Sequence, residues 1–162
     1  MTMIDHLEES NRGLDWFSAK LVEKGYRYAG HFAPHDVQKR SVVDATSIIA
    51  SAAKLGISFQ VIPRTSSVEG DIELVRRLLP RFLFDEERCA HGITALGDYH
   101  RDPETGKPVH DWTSHAVDAF RAACRALEMG MVRSALRFEG WRTGDVRLQE
   151  KSLNHQFNAL EW

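Results

Sequence analysis

A chain of 162 residues, 43% of them hydrophobic, is long enough to bury a core without disulfide or metal staples and is read as one domain. Its 21 basic and 23 acidic side chains leave a formal charge of -2, which excludes a globally basic nucleic-acid-binding protein, so any positive surface that meets nucleic acid must be local. Two cysteines without CxxC spacing, Cys89 and Cys124, exclude a disulfide scaffold and fit small apolar fillers in a reducing compartment. The start MTMIDHLEES has no basic segment followed by an apolar one, and no window reaches about 18 apolar residues. The expected location is the cytoplasm, with no membrane partner.

In chain order, Met1 to Leu7 reads as a strand followed by the turn signal Ser10-Asn11-Arg12-Gly13. Leu14, Phe17, Leu21 and Val22 recur at helical spacing, and Gly25 closes that helix. Tyr26 to Phe32 reads as a second strand running into Ala33-Pro34-His35-Asp36, which puts Asp36 where a strand ends, the usual place for chemistry in α/β domains. Thr46 to Leu55 is helical and stops at Gly56; Ile57 to Ile62 is a β-branched run stopped by Pro63. Ser67 with Glu69 and Asp71 starts a helix that carries Ile72, Val75, Leu78 and Leu79 and ends at Pro80. Phe82 to Phe84 makes a short strand, Glu86 to Tyr99 a helix, and Asp102 to Pro108 a turn-rich excursion. Thr113 or Ser114 caps a last helix running to Met129, with Ala116, Phe120, Ala123 and Leu127 as its apolar stripe. Strands alternating with helices predict an α/β domain over residues 1–130 with an at least partly parallel sheet, and residues 131–162 read as an appended tail with room for one short helix or hairpin.

Two segments carry candidate chemistry. In His110-Asp111-Trp112-Thr113-Ser114-His115-Ala116-Val117-Asp118, His115 and Asp118 share a helical face, and the small or apolar neighbours of Asp118 suggest a carboxylate that needs a cation. The competing reading is an acid stabilised by the helix dipole. Asp36 after Pro34-His35 either caps a turn or serves as a ligand. Together the two acids suggest a hard-cation site, because Mg²⁺ and Mn²⁺ prefer oxygen donors. The HxxxH spacing of His31 and His35, with His110 and His115 further on, invites a zinc reading, but a strand and turn at 31–35 does not bring those imidazoles together. Arg76-Arg77 and the Arg121/Arg125 pair read as solvated faces or ion-pair partners. Neither GxxxxGK[ST] nor GxSxG occurs, which excludes P-loop ATPase and α/β-hydrolase chemistry.

The order Tyr26 and Tyr28, His31-Phe32-Ala33-Pro34-His35-Asp36, Leu55-Gly56-Ile57, Leu78-Leu79-Pro80-Arg81, Phe84-Asp85-Glu86 with Cys89, and Pro108-Val109-His110-Asp111-Trp112-Thr113-Ser114-His115 with Asp118-Ala119-Phe120-Arg121 resembles the nuclease domain of phage terminase large subunits, between residues 3 and 127. The last block is the most specific. The resemblance implies an RNase H-like α/β fold with a mixed sheet flanked by helices. It also implies in-line hydrolysis of viral DNA during genome packaging with two Mg²⁺ or Mn²⁺ ions. Of the family's three acids, the one after a later strand maps to Asp36 and the one on a late helix to Asp118; on this resemblance they face one cleft. Met1 to Glu9 resembles the family's second strand, so the first acid and the ATPase motor domain have no counterpart in this chain. Asp5 and Asp85 are candidates for a third ligand, and His35, Asp111 and His115 for the surrounding shell. The implied partners are double-stranded DNA, the terminase ATPase domain, the small terminase subunit and the portal, in the host cytoplasm. A non-catalytic nuclease remnant that binds DNA or a packaging partner is the alternative.

Overall fold

The computed structural model describes residues 1–39 and 46–132; the tail expected over 131–162 lies almost wholly outside them. The elements are β1 (Thr2–Met3), α1 (Leu14–Glu23), β2 (His31–Pro34), α2 (Ile48–Lys54), β3 (Phe59–Ile62), α3 (Val68–Leu78), β4 (Leu83–Phe84), α4 (Ala90–Asp98) and α5 (Ser114–Glu128), with 3₁₀ turns at His35–Gln38 and Leu79–Arg81. The architecture is mixed α/β, and both strand pairs are parallel: β1 with β4, and β2 with β3. No described helix is long and apolar enough to cross a membrane.

The chain divides into two compact units. One contains Met1–Glu8 and Ser67–Cys124, the other Glu9–Ser66 and the residues that follow Cys124 at the end of α5. In the first, Ser67 Oγ accepts from the Gly70 N–H at 3.0 Å and caps α3, as its sequence predicts. Ile72, Val75 and Leu78 then recur at i, i+3 and i+6 on the buried side. Pro80 ends the helix in a 3₁₀ turn closed by Phe82 N–H to Leu79 O, and the chain emerges into β4. β4 holds β1 in the register Thr2↔Leu83 and Met3↔Phe84. The expected strand over 1–7 is therefore only two residues long, because pairing stops where β4 stops.

The expected helix over 86–99 begins at Ala90. The Asp85 carboxylate accepts from the N–H groups of Glu87 and Arg88, which diverts residues 86–89 into turns. Asp102 likewise accepts from Glu104 and Thr105, and Gly106 at φ +65° lets the excursion return to an antiparallel bridge between Arg101 and Pro108. From Thr113 into α5 the buried side chains run Thr113, Val117, Phe120 and Cys124, with Ala116 beside them, so Cys124 takes the place expected for Ala123. Both cysteines are buried and unbridged, and burial pushes the Cys124 thiol up to about 12.

In the second unit, Ser47 Oγ caps α2 through the Ala50 N–H, and Gly56 at φ +80° turns the chain so that Ile57 N–H reaches Ala52 O. β3 pairs with β2 from His31↔Phe59 to Pro34↔Ile62. The strand expected from Tyr26 starts five residues later, because residues 26–30 pair with no strand and Tyr28 instead donates its hydroxyl to Leu21 O of α1. The expected apolar stripe on α1 also differs: Val22 is 77% exposed and no residue of this helix is fully buried.

Candidate functional site

The segment leading into α5 is held by its own side-chain hydrogen bonds. Asp111 Oδ1 accepts from the Thr113 N–H at 2.9 Å and from the Thr113 hydroxyl at 2.6 Å, while Ser114 Oγ accepts from the Asp111 N–H at 3.0 Å. Thr113 and Ser114 are buried, so their hydroxyls need these partners. Asp111 is thus occupied in a side-chain turn just ahead of α5. The hydrogen bonds from Thr113 hold its carboxyl below the ordinary carboxylate range, against partial desolvation.

A depressed value means that this turn stabilises the fold above the unfolded carboxyl's pKa of about 3.9 and loses that contribution as pH falls through the lower folded value. Asp111→Asn should therefore lower the melting temperature near neutral pH, and its difference from wild type should close below about pH 4. Thermal melts across that range check it; a gap of constant size would show that the charge contributes nothing to the turn.

Asp118 lies one turn into α5, on the solvent side with His115. It is 52% exposed, and its cation is already present: Arg121 Nη2 stands 3.0 Å from Oδ1. The expectation that apolar neighbours enclose this acid is corrected here. Ala116, Val117 and Phe120 point inward, whereas Asp118, Ala119 and His115 point out. Arg121 also lies 3.9 Å from the buried Asp71, so one guanidinium spans an inner and an outer carboxylate. His110 and His115 approach each other with ring centroids 6.2 Å apart.

Asp36 follows β2 in the 3₁₀ turn His35–Gln38. It is 54% exposed, with Lys39 Nζ at 2.6 Å and His35 Nε2 at 3.4 Å. The hydrogen bond from Lys39 holds its carboxyl below the ordinary carboxylate range, with His35 and Arg64 adding to the effect. Asp36 belongs to one unit and Asp118 to the other. Both are solvent-facing oxygen donors of the kind hard divalent ions accept, and each carries a basic side chain from three residues further along.

Of the two candidate third ligands, Asp85 is engaged in its turn and lies 3.8 Å from Arg88, and Asp5 sits half-buried just after β1. His31 opens β2 against the rings of Tyr28 and Phe59, and His35 sits in the next turn beside Asp36. Among the described residues neither belongs to a group of three metal donors, nor do His110 and His115.

Among the described residues, three donors outside every sequence expectation form such a group. His6, Glu8 and His91 bring one donor atom each within 4.8 Å of one another, a set that could hold a metal ion. His6 Nε2 is 3.3 Å from Glu8 Oε2, His91 Nδ1 is 3.7 Å from the same oxygen, and the two imidazoles stack at 5.6 Å. The His-x-Glu pair was the local signal, since residues two apart in an extended stretch share a side. The third ligand is far away in sequence and follows no spacing rule.

Comparison with protein-family models, with curated proteins and with solved structures found no match to this chain.

Proposed function

We propose that this chain is part of the nuclease domain of a phage or prophage terminase large subunit, an RNase H-like fold that hydrolyses double-stranded DNA with Mg²⁺ or Mn²⁺. The observation that carries this reading is the segment from His110 to Arg121. Thr113 and Ser114 are buried and hydrogen-bonded at its start, while His115 and Asp118 are presented to solvent on the first turns of α5. The exposed acid two residues after the parallel strand β2, Asp36, supports it. On this reading Asp36 and Asp118 are each an ion ligand, with His35 next to the first and His115 on the same helical face as the second. The ions would activate water and stabilise the leaving oxygen of the phosphodiester. The ATPase domain, the small subunit and the portal are the protein partners of this reading.

A second reading, a non-catalytic remnant that binds DNA or a packaging partner, is favoured by one observation: both acids already pair with a basic side chain of their own segment. Nicking of supercoiled plasmid separates the two. On the nuclease reading, Mn²⁺ supports nicking that EDTA abolishes, and Asp36→Asn or Asp118→Asn each reduces it to background. Metal-dependent DNA retention without nicking would assign the chain to the second reading, and nicking indifferent to both substitutions would remove both acids from the site.

A further inference from the structure

We propose that His6, Glu8 and His91 bind one divalent transition-metal ion of the zinc class, which fastens the segment after β1 to α4 and keeps one coordination position open. The geometry of the donors is the first argument. Ligand bonds of about 2.0–2.1 Å in a tetrahedron set neighbouring donors about 3.3–3.4 Å apart. The two distances to Glu8 Oε2, 3.3 and 3.7 Å, are close to such edges, and all three donors lie within 4.8 Å. Small side-chain rotations close the set around an ion.

The second argument is how the ligands are held. Leu83 N–H to Met1 O and Asp85 N–H to Met3 O tie β1 to β4, and His6 N–H reaches Arg88 O at 3.2 Å, so His6 approaches α4 in a fixed register. His91 stands in the first turn of α4, its ring edge-on to Trp112 at 5.6 Å. The next residue, Gly92, leaves the space that the His6 ring occupies: a Cβ there would lie 2.9 Å from His6 Nδ1. The seat of His6 therefore depends on glycine at 92.

The donor chemistry selects the ion. Two imidazoles and one carboxylate suit zinc, cobalt or nickel, whereas Mg²⁺ takes oxygen donors and sheds water reluctantly. Three protein ligands leave a fourth position, and side-chain exposures of 19% for His6, 27% for Glu8 and 57% for His91 place the open side at His91. Water or a small anion would complete the shell there. The site shares no residue with the acids of the proposed nuclease, so the two readings stand or fall separately.

The test uses the tag-free full chain, stripped with EDTA and titrated with Co²⁺, whose visible bands report coordination, then with Zn²⁺. With excess Mg²⁺ present to occupy oxygen-donor sites, one equivalent of Co²⁺ should bind, Zn²⁺ should displace it, and Zn²⁺ should raise the melting temperature. His6→Ala and Glu8→Gln should each weaken Co²⁺ binding about tenfold or more. Gly92→Ala should also weaken it, although every ligand is retained. Glu8→Gln preserves shape, so lost binding with an unaltered circular dichroism spectrum in EDTA identifies a lost ligand rather than a lost fold. A Co²⁺ spectrum unaffected by His6→Ala and Glu8→Gln, or no binding by wild type, would overturn the proposal and leave an ion-pair cluster only.

Discussion

Phe120→Ala is expected to destabilise the unit that contains α3, α4 and the start of α5 by about 3–5 kcal/mol, the usual cost of deleting a buried aromatic side chain. Phe120 is 4% exposed, and its ring meets Phe82 edge-to-face at 4.9 Å and Phe84 at 5.8 Å. Such ring pairs contribute about 0.5–1.5 kcal/mol beyond the area they bury. Phe82 and Phe84 flank and form β4, the strand that pairs with β1, so the lost ring undercuts a two-residue strand pair as well as α5. For a unit of this size each kcal/mol is worth about 4–8 °C, so the melting temperature should fall by more than about 10 °C. Phe120→Leu, which keeps most of the volume, should cost less. Chemical denaturation followed by circular dichroism measures both; equal, small losses for the two variants would show that this aromatic cluster is not the centre of the unit.

The helices were legible because their ends are written locally. Ser47 and Ser67 cap as side-chain acceptors, and Gly25, Gly56 and Gly130 take the positive φ that closes α1, α2 and α5. The strands were not, since apolar alternation marks where a strand is possible while pairing depends on a distant partner. β1 ends with β4, and residues 26–30 lost their expected strand to a tyrosine hydroxyl reaching back to Leu21. The helix over 86–99 lost its first turn to Asp85, a residue whose carboxylate competes for backbone N–H groups.

The acids show the same division. Asp118 lies on its helix as the sequence predicts, but the apolar residues adjacent to it in sequence do not surround it. On a helix the flanking side chains are three and four residues away, and for Asp118 these include Arg121 and the exposed His115. Asp111 reads in sequence like a member of the reactive cluster, yet its carboxylate is turned back onto Thr113. His6, Glu8 and His91 follow from the register of β1 on β4 and from the missing side chain at Gly92, neither of which leaves a local pattern.

Asp118→Asn should abolish a metal-dependent rise in stability of about 2.7 kcal/mol, the value for a divalent ion held at roughly a hundred times its Kd and bound to the folded state alone. The comparison is best made in a Glu8→Gln background, which removes the imidazole-rich cluster as a second sink for Mn²⁺ and leaves the oxygen donors to report. Arg121 competes with the ion, since its guanidinium lies 3.0 Å from the Asp118 carboxylate. The competition is weak. Asp118 is half exposed, and ion pairs of that kind contribute about 1 kcal/mol or less, which a bound divalent ion exceeds. The same inequality separates the two roles of the residue. In EDTA, Asp118→Asn loses only the Arg121 pair and should melt close to its parent; in Mn²⁺ it should fall behind by most of the metal's contribution. Four melts suffice, parent and Asp118→Asn, each with Mn²⁺ and with EDTA. If the parent melts at one temperature in both conditions, or Asp118→Asn gains as much from Mn²⁺ as its parent does, Asp118 is a surface residue of α5 paired to Arg121 and the nuclease reading loses its ligand.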